Sequence, residues 1–185
     1  MDLLLLVSKA WHAMARMVLR LRSRGFDLNT SDRTGRTAVW LAADQGHCEL
    51  VSLLLERGAN SDAADRDGQT PLIRSVLADA PGCVARMIEA GADIDHQTRS
   101  GNTALMLAAE SHPAIVHQLL SAGADYEMRN AGSSTALMLA ASAPCVECAN
   151  ALIAAGASPK RKNSTGVSAI DMASNNPALL AALRR

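Results

Sequence analysis

"TALMLAA", residues 103–109, recurs letter for letter at residues 135–141, while the sequence between the copies resembles little else. A reactive loop has no reason to be copied, whereas a structural unit does. With the first Thr of the motif as marker, Thr37, Thr70, Thr103, Thr135 and Ser168 fall 33, 33, 32 and 33 residues apart. Gly25, Gly58, Gly91, Gly123 and Gly156 keep the same spacings. A period of this size marks stacked supersecondary units.

Each marker Thr sits where an N-cap hydroxyl accepts from the first orphan amides of a helix, and Pro71 follows Thr70 at N1, where its missing donor costs nothing. Val39, Leu72, Leu105, Leu137 and Ile170 follow as a predicted column of core residues. The pairs Ala42–Ala43, Ala108–Ala109 and Ala140–Ala141 let a second helix approach closely. That second helix is legible in "CELVSLLLERG" and "PAIVHQLLSAG" from apolar residues at helical spacing. It ends on the marker Gly, which suits the left-handed position after a helix C-terminus. Gly35, Gly68, Gly101 and Gly166, two residues before the capping hydroxyl, suit a tight turn of positive φ, so a hairpin-like finger is expected between successive helix pairs.

Composition agrees. The chain is 49% hydrophobic, yet only Trp11, Phe26, Trp40 and Tyr126 are aromatic. Leu, Ala, Met and Val must build the interior, which favours closely spaced helices over a sheet sandwich. The formal charge is zero but uneven: residues 37–159 hold six basic and fourteen acidic side chains. That distribution lacks the continuous basic stripe of a nucleic-acid binder. "KRK" at 160–162 and the terminal "RR" read as solvated ends. The apolar run in "MDLLLLVSKA" has no positive charge before it, so no secretory leader is expected, and no stretch approaches the roughly 18 residues of a membrane span. A soluble, cytoplasmic chain is the expectation, with its four cysteines as reduced thiols.

The repeat resembles the ankyrin family, whose pattern runs approximately D-x-x-G-x-T-P-L-H-L-A-A-x-x-G-H-x-E-[IV]-V-x-x-L-L-x-x-G-A-D. "DRTGRTAVWLAADQGHCELVSLLLERGAN" (32–60) matches nearly throughout, and "DRDGQTPLIRSVL" from Asp65 and "GNTALMLAAE" from Gly101 follow it. The resemblance implies an all-α ankyrin-repeat solenoid of helix-turn-helix units joined by β-hairpin-like fingers. It is a single domain over 1–185: an N-terminal helical cap (1–29), repeats at 30–62, 63–95, 96–127 and 128–160, and a C-terminal capping repeat (161–185). In the first cap, Arg16, Arg20, Arg22 and Arg24 keep the outer side polar. In the last repeat, Asp171 and Asn175–Asn176 do so, as a solenoid end requires.

Three departures stand out. At the family's His position the chain has Trp40, Ile73, Met106, Met138 and Asp171, which removes the hydrogen-bond link that His makes between neighbouring turns. Arg74 replaces the next Leu and must snorkel or find a partner. "ESHPAIV" is one residue short of "DQGHCELV", which should tighten the loop before Pro113.

Catalytic and metal signals are weak. Cys145 and Cys148 in "CVEC" could share a metal or form a disulfide, but Cys148 lies 13 residues after Thr135, in register with Cys83 and Leu50, so packing is the expected role. His47, Cys48 and Glu49 occupy the family's G-H-x-E segment. His112 and His117, five apart, point to different sides of a helix. With no nucleophile elbow and no phosphate loop, no catalytic residue, metal or cofactor is expected, and the chain reads as a non-enzyme.

The resemblance implies that partners meet the finger tips and the first helix of each pair. Four residues before the marker come Arg33, Arg66, Arg99, Ala131 and Ser164; just before it come Arg36, Gln69, Asn102, Ser134 and Val167; seven after it come Asp44, Leu77, Glu110, Ser142 and Asn175. The large or charged groups fall in the first three repeats. The expected footprint is therefore Arg33, Arg36, Asp44, Arg66, Asp67, Gln69, Leu77, Arg99, Asn102 and Glu110. The function expected is a monomeric protein–protein interaction module, scaffold or adaptor, that docks a partner protein on its concave face and neither nucleic acid nor membrane. The alternatives are an inhibitor or immunity-type protein occluding a toxic or regulated enzyme and, in another class, a thiol or metal protein using Cys145 and Cys148.

Overall fold

The computed structural model describes residues 27–143 and 145–183. Most of the expected N-terminal cap, with its four arginines and Gly25, and the terminal Arg184–Arg185 lie outside the described residues. The elements are helix pairs in chain order: α1 (Ala38–Asp44) and α2 (Cys48–Glu56), α3 (Pro71–Leu77) and α4 (Pro81–Glu89), α5 (Ala104–Ala108) and α6 (Pro113–Ser121), α7 (Ala136–Ser142) and α8 (Val146–Ala154). A last pair follows, α9 (Ala169–Met172) and α10 (Pro177–Leu183), joined by one 3₁₀ turn over Ala173–Asn175. Among the described residues the only strand-like pairing is one isolated bridge between Lys162 and Ser168.

The odd-numbered helices stack as one layer, α1 on α3, α3 on α5, α5 on α7 and α7 on α9. The even-numbered helices stack as the other, from α2 to α10. Between the layers lies a column of fully buried Val39, Leu72, Leu105 and Leu137, faced from the second helices by Leu54, Met87, Leu119 and Leu152. Burying each of these side chains contributes about 1.5–3 kcal/mol, and that supplies what such short helices lack alone. Ile170 departs from the predicted column: it is only half-buried.

The marker hydroxyls cap as the spacing predicts at Thr37, Thr70, Thr103 and Ser168, each accepting the amide three residues on. Thr135 does not: its side chain makes no capping bond, and the Met138 amide donates to the Thr135 carbonyl instead. Ser168 forms a full capping box with Asp171, whose carboxylate accepts the Ser168 amide and is held below the usual carboxylate range chiefly by the Ser168 hydroxyl. Asn176 caps α10 through the Leu179 amide. The missing residue in "ESHPAIV" appears as a shortened α5, five residues against seven in α1, α3 and α7.

The cysteines correct the expectation of reduced thiols. Cys48 is bonded to Cys83, and Cys145 to Cys148. Stacking of α2 on α4 brings Cys48, eleven residues after its marker, beside Cys83, thirteen after its own. A separation of 35 does not equal the period, so aligning the repeats position by position passes over the pair. Gly82 adjoins the bridge, and a β-carbon there would make ordinary van der Waals contact with the Cys48 sulfur at 3.5 Å.

Candidate functional site

Each finger is built by one polar residue five positions before the marker. The amide of Asp32, Asp65, Thr98, Asn130 or Asn163 donates to the carbonyl just before the marker and closes the turn. Their side-chain oxygens then accept amides within the loop: Asp32 takes Thr34 and Arg36, Asp65 takes Asp67 and Gln69, and Asn130 takes Gly132 and Ser134. Asp32 is held well below the usual carboxylate range, first by the Thr34 hydroxyl and then by the Arg36 amide.

Successive fingers are tied by a backbone ladder. The amides of Arg66, Arg99, Ala131 and Ser164 donate to the carbonyls of Thr34, Asp67, Ser100 and Gly132 at 2.9, 3.0, 3.0 and 3.1 Å. Behind it runs a second ladder, in which Asn29, Asp62, Asp95 and Glu127 accept the amides of Asn60, Asp93, Asp125 and Ser158 in the next repeat. Three of the carboxylates in the acidic middle of the chain, Asp62, Asp95 and Glu127, are thereby engaged in holding repeats together. The consequence for the surface is register: the side chains at one finger position are held in a row.

Arg33, Arg66 and Arg99 stand in that row, all exposed. Among the described residues none of the three forms an ion pair. Asp67 is also exposed. Arg36 is occupied, bridging to Asp32 at 2.9 Å and lying over the Trp40 ring. Asn102 accepts from the Asn130 amide group at 2.9 Å, linking the third finger to the fourth. Glu110 is exposed at the end of the first helix of its repeat.

Asp44, Gln69 and Leu77 surround a cluster that the sequence only partly discloses. Arg74 bonds Asp44 of the preceding repeat, donates to the Gln69 side-chain oxygen at 2.8 Å, and lies over the Trp40 ring at 4.9 Å from its centroid. Trp40 in turn donates its indole N–H to the Gln69 carbonyl at 2.9 Å. The link expected to be lost with the family's His is thus remade at this one position by an indole. Arg74 and Asp44 are 24% and 21% exposed, and the Asp44 carboxyl is lowered below its ordinary value first by its hydrogen bond from Arg74. Beside this pair stand the two exposed large apolar side chains of the described residues, Leu41 at 44% and Leu77 at 43%. Leu41 is the residue the sequence reading passes over. It holds the register position of Arg74, and a Leu flanked by Val39, Trp40, Ala42 and Ala43 gives no sign that it faces outward.

Because the pair is largely shielded, Arg74→Ala is expected to cost about 1–2 kcal/mol at neutral pH, through a lost charge-assisted bond and an orphaned carboxylate. The acid branch has a definite sign. A carboxyl lowered on folding contributes stability that is present above the unfolded value of about 3.9 and disappears as pH falls through the folded one. Urea titrations from pH 7 to 2 should therefore show a smaller acid loss for Asp44→Asn than for the parent, and identical profiles would remove the pair from the acid response.

Among the described residues no three His, Cys, Asp or Glu side chains gather as a metal site, and no helix is long and apolar enough to cross a membrane. No curated protein matches the chain. A family model for ankyrin repeats, in three copies, matches residues 6–98 and again 78–163. With that match over most of its length, and with helix pairs stacked through laddered fingers, the chain belongs to the ankyrin repeat family, whose repeats are in general protein–protein interaction modules.

Proposed function

We propose that this chain is a non-enzymatic module that docks one partner protein on its concave face, across the fingers and first helices of its first three described repeats. The observation that carries this reading is the coincidence of two features. Arg33, Arg66 and Arg99 form a row of exposed cations without an ion-pair partner among the described residues, and Leu41 and Leu77 stand exposed on the adjoining first helices. An arginine row held by backbone ladders has part of its ordering cost met in advance, which favours bidentate recognition of carboxylates. Leucines beside a shielded ion pair and an indole offer a dry centre, and a dry centre ringed by charge is the usual layout of an interface hot spot. The partner chemistry that fits is an acidic segment carrying at least one apolar anchor.

Affinity capture followed by titration tests this. Joint Arg66→Ala, Leu77→Ala and Arg99→Ala substitution should weaken the captured partner's binding about 100-fold or more, equivalent to roughly 3 kcal/mol, with helical content unchanged. Raising salt should weaken the parent more than the variant, since the arginines are solvent-facing. Equal affinity for parent and variant overturns the footprint.

A further inference from the structure

The register of the repeats separates Cys145 from the other three cysteines. Cys83 and Cys148 share one position, thirteen after the marker, and both are fully buried packing residues. Cys48 adjoins Cys83 across the stacked second helices. Cys145 instead stands at the N-cap of the nine-residue helix α8, half-buried, with its sulfur accepting the Cys148 amide at 3.2 Å. At the equivalent caps His47, Ala80 and His112 no side chain accepts a helix amide. The fold leaves that position uncapped in three repeats, so stability does not demand a sulfur there.

Access is equally one-sided. Cys145 opens on a cleft of about 370 Å³ lined by Glu110, Ser111, Pro113, Val146 and Glu147, whereas Cys148 is sealed in the core. We propose that Cys145–Cys148 is an exchangeable disulfide, opened at the Cys145 sulfur by small thiols, with Cys148 as the protected resolving partner. An incoming thiolate bonds to Cys145 Sγ; the Cys145–Cys148 bond breaks, and its electron pair leaves on Cys148 Sγ, which takes up the proton the attacking thiol released. A second thiol attacks the external sulfur and frees Cys145 as a thiolate. Two thiols become one disulfide and the protein pair becomes a dithiol, so the electrons balance. The freed Cys145 sulfur keeps the Cys148 amide and the positive end of α8, both of which favour a thiolate. The cleft lining carries two carboxylates and no cation, so cationic aminothiols enter more readily than anionic ones.

The test uses full-length protein, glutathione and cysteamine as probes, and peptide mapping by mass spectrometry. In Cys148→Ser, oxidised glutathione should build a mixed disulfide on Cys145; in Cys145→Ser, the buried Cys148 should react at least ten-fold more slowly. Adduct formation at Cys148 equal to that at Cys145, or at neither, overturns the proposal. In the parent, Glu147→Gln should raise the rate of opening by glutathione relative to cysteamine by about two-fold or more. An unchanged ratio overturns the selectivity, and opening of Cys48–Cys83 with Cys145–Cys148 left closed overturns exchange at this site.

Discussion

Gly101→Ala is expected to destabilise the protein by about 2–5 kcal/mol, while Gly91→Ala, at the same φ of +77°, costs only about 1–2 kcal/mol. Both substitutions carry the penalty of a left-handed backbone. They differ in what the new methyl group meets. At Gly91 nothing lies within 4 Å, but at Gly101 a β-carbon would stand 2.7 Å from the Ala131 amide nitrogen and 3.0 Å from the Asn130 backbone. That amide is the rung donated to Ser100, and Asn130 organises the next finger. The clash is with backbone, so no rotamer relieves it, and the third and fourth repeats must separate. In a solenoid, neighbour coupling carries much of the stability. Urea unfolding of Gly101→Ala should therefore broaden as well as shift, with the two halves losing cooperativity. Equal midpoints for the two variants would show that backbone conformation alone accounts for the cost.

The same positions show why the fold is legible in the sequence and the surface only in part. The architecture rests on residues whose role is local: a capping hydroxyl, a left-handed Gly, a Leu two residues after a Thr. Each carries its meaning within one repeat, and repetition multiplies the signal. Thr135 shows the limit, because its hydroxyl is in place but a slightly different first turn satisfies the amide through the carbonyl. What crosses between repeats is harder to read. Arg74 announces that it needs a partner, but Asp44, 30 residues earlier, is named only by the folded geometry. The substitution of Trp40 for His looks like a lost hydrogen bond until the indole is seen reaching the Gln69 carbonyl. Leu41 is apolar among apolar neighbours, and only the stacking tells which face of α1 is left open.

Opening the disulfide between Cys48 and Cys83 should have an effect of similar size. Closing a loop of 35 residues removes chain entropy worth roughly 4 kcal/mol from the unfolded state, against roughly 1.6 kcal/mol for the three-residue separation of Cys145 and Cys148. Reduction of the parent should lower its urea midpoint strongly. Reduction of Cys48→Ala/Cys83→Ala should lower it little, since only the short loop is then left to open. If reduction moves both proteins equally, the inter-repeat bridge contributes nothing. The pairing also removes the support that reduced thiols lend to a cytoplasmic location, because a bridge of this kind persists most readily in an oxidising compartment. Its position bears on binding as well. It joins the second helices of the two repeats that carry Leu41, Arg74, Asp44 and Leu77, while those residues stand on the first helices. A covalent tie between α2 and α4 restrains how far α1 can move from α3 without touching the surface they form. Holding that surface together before a partner arrives lowers the ordering cost of docking. On the proposed footprint, the reduced protein should bind its partner more weakly than the oxidised one even where both are fully folded, and the difference should vanish in Cys48→Ala/Cys83→Ala.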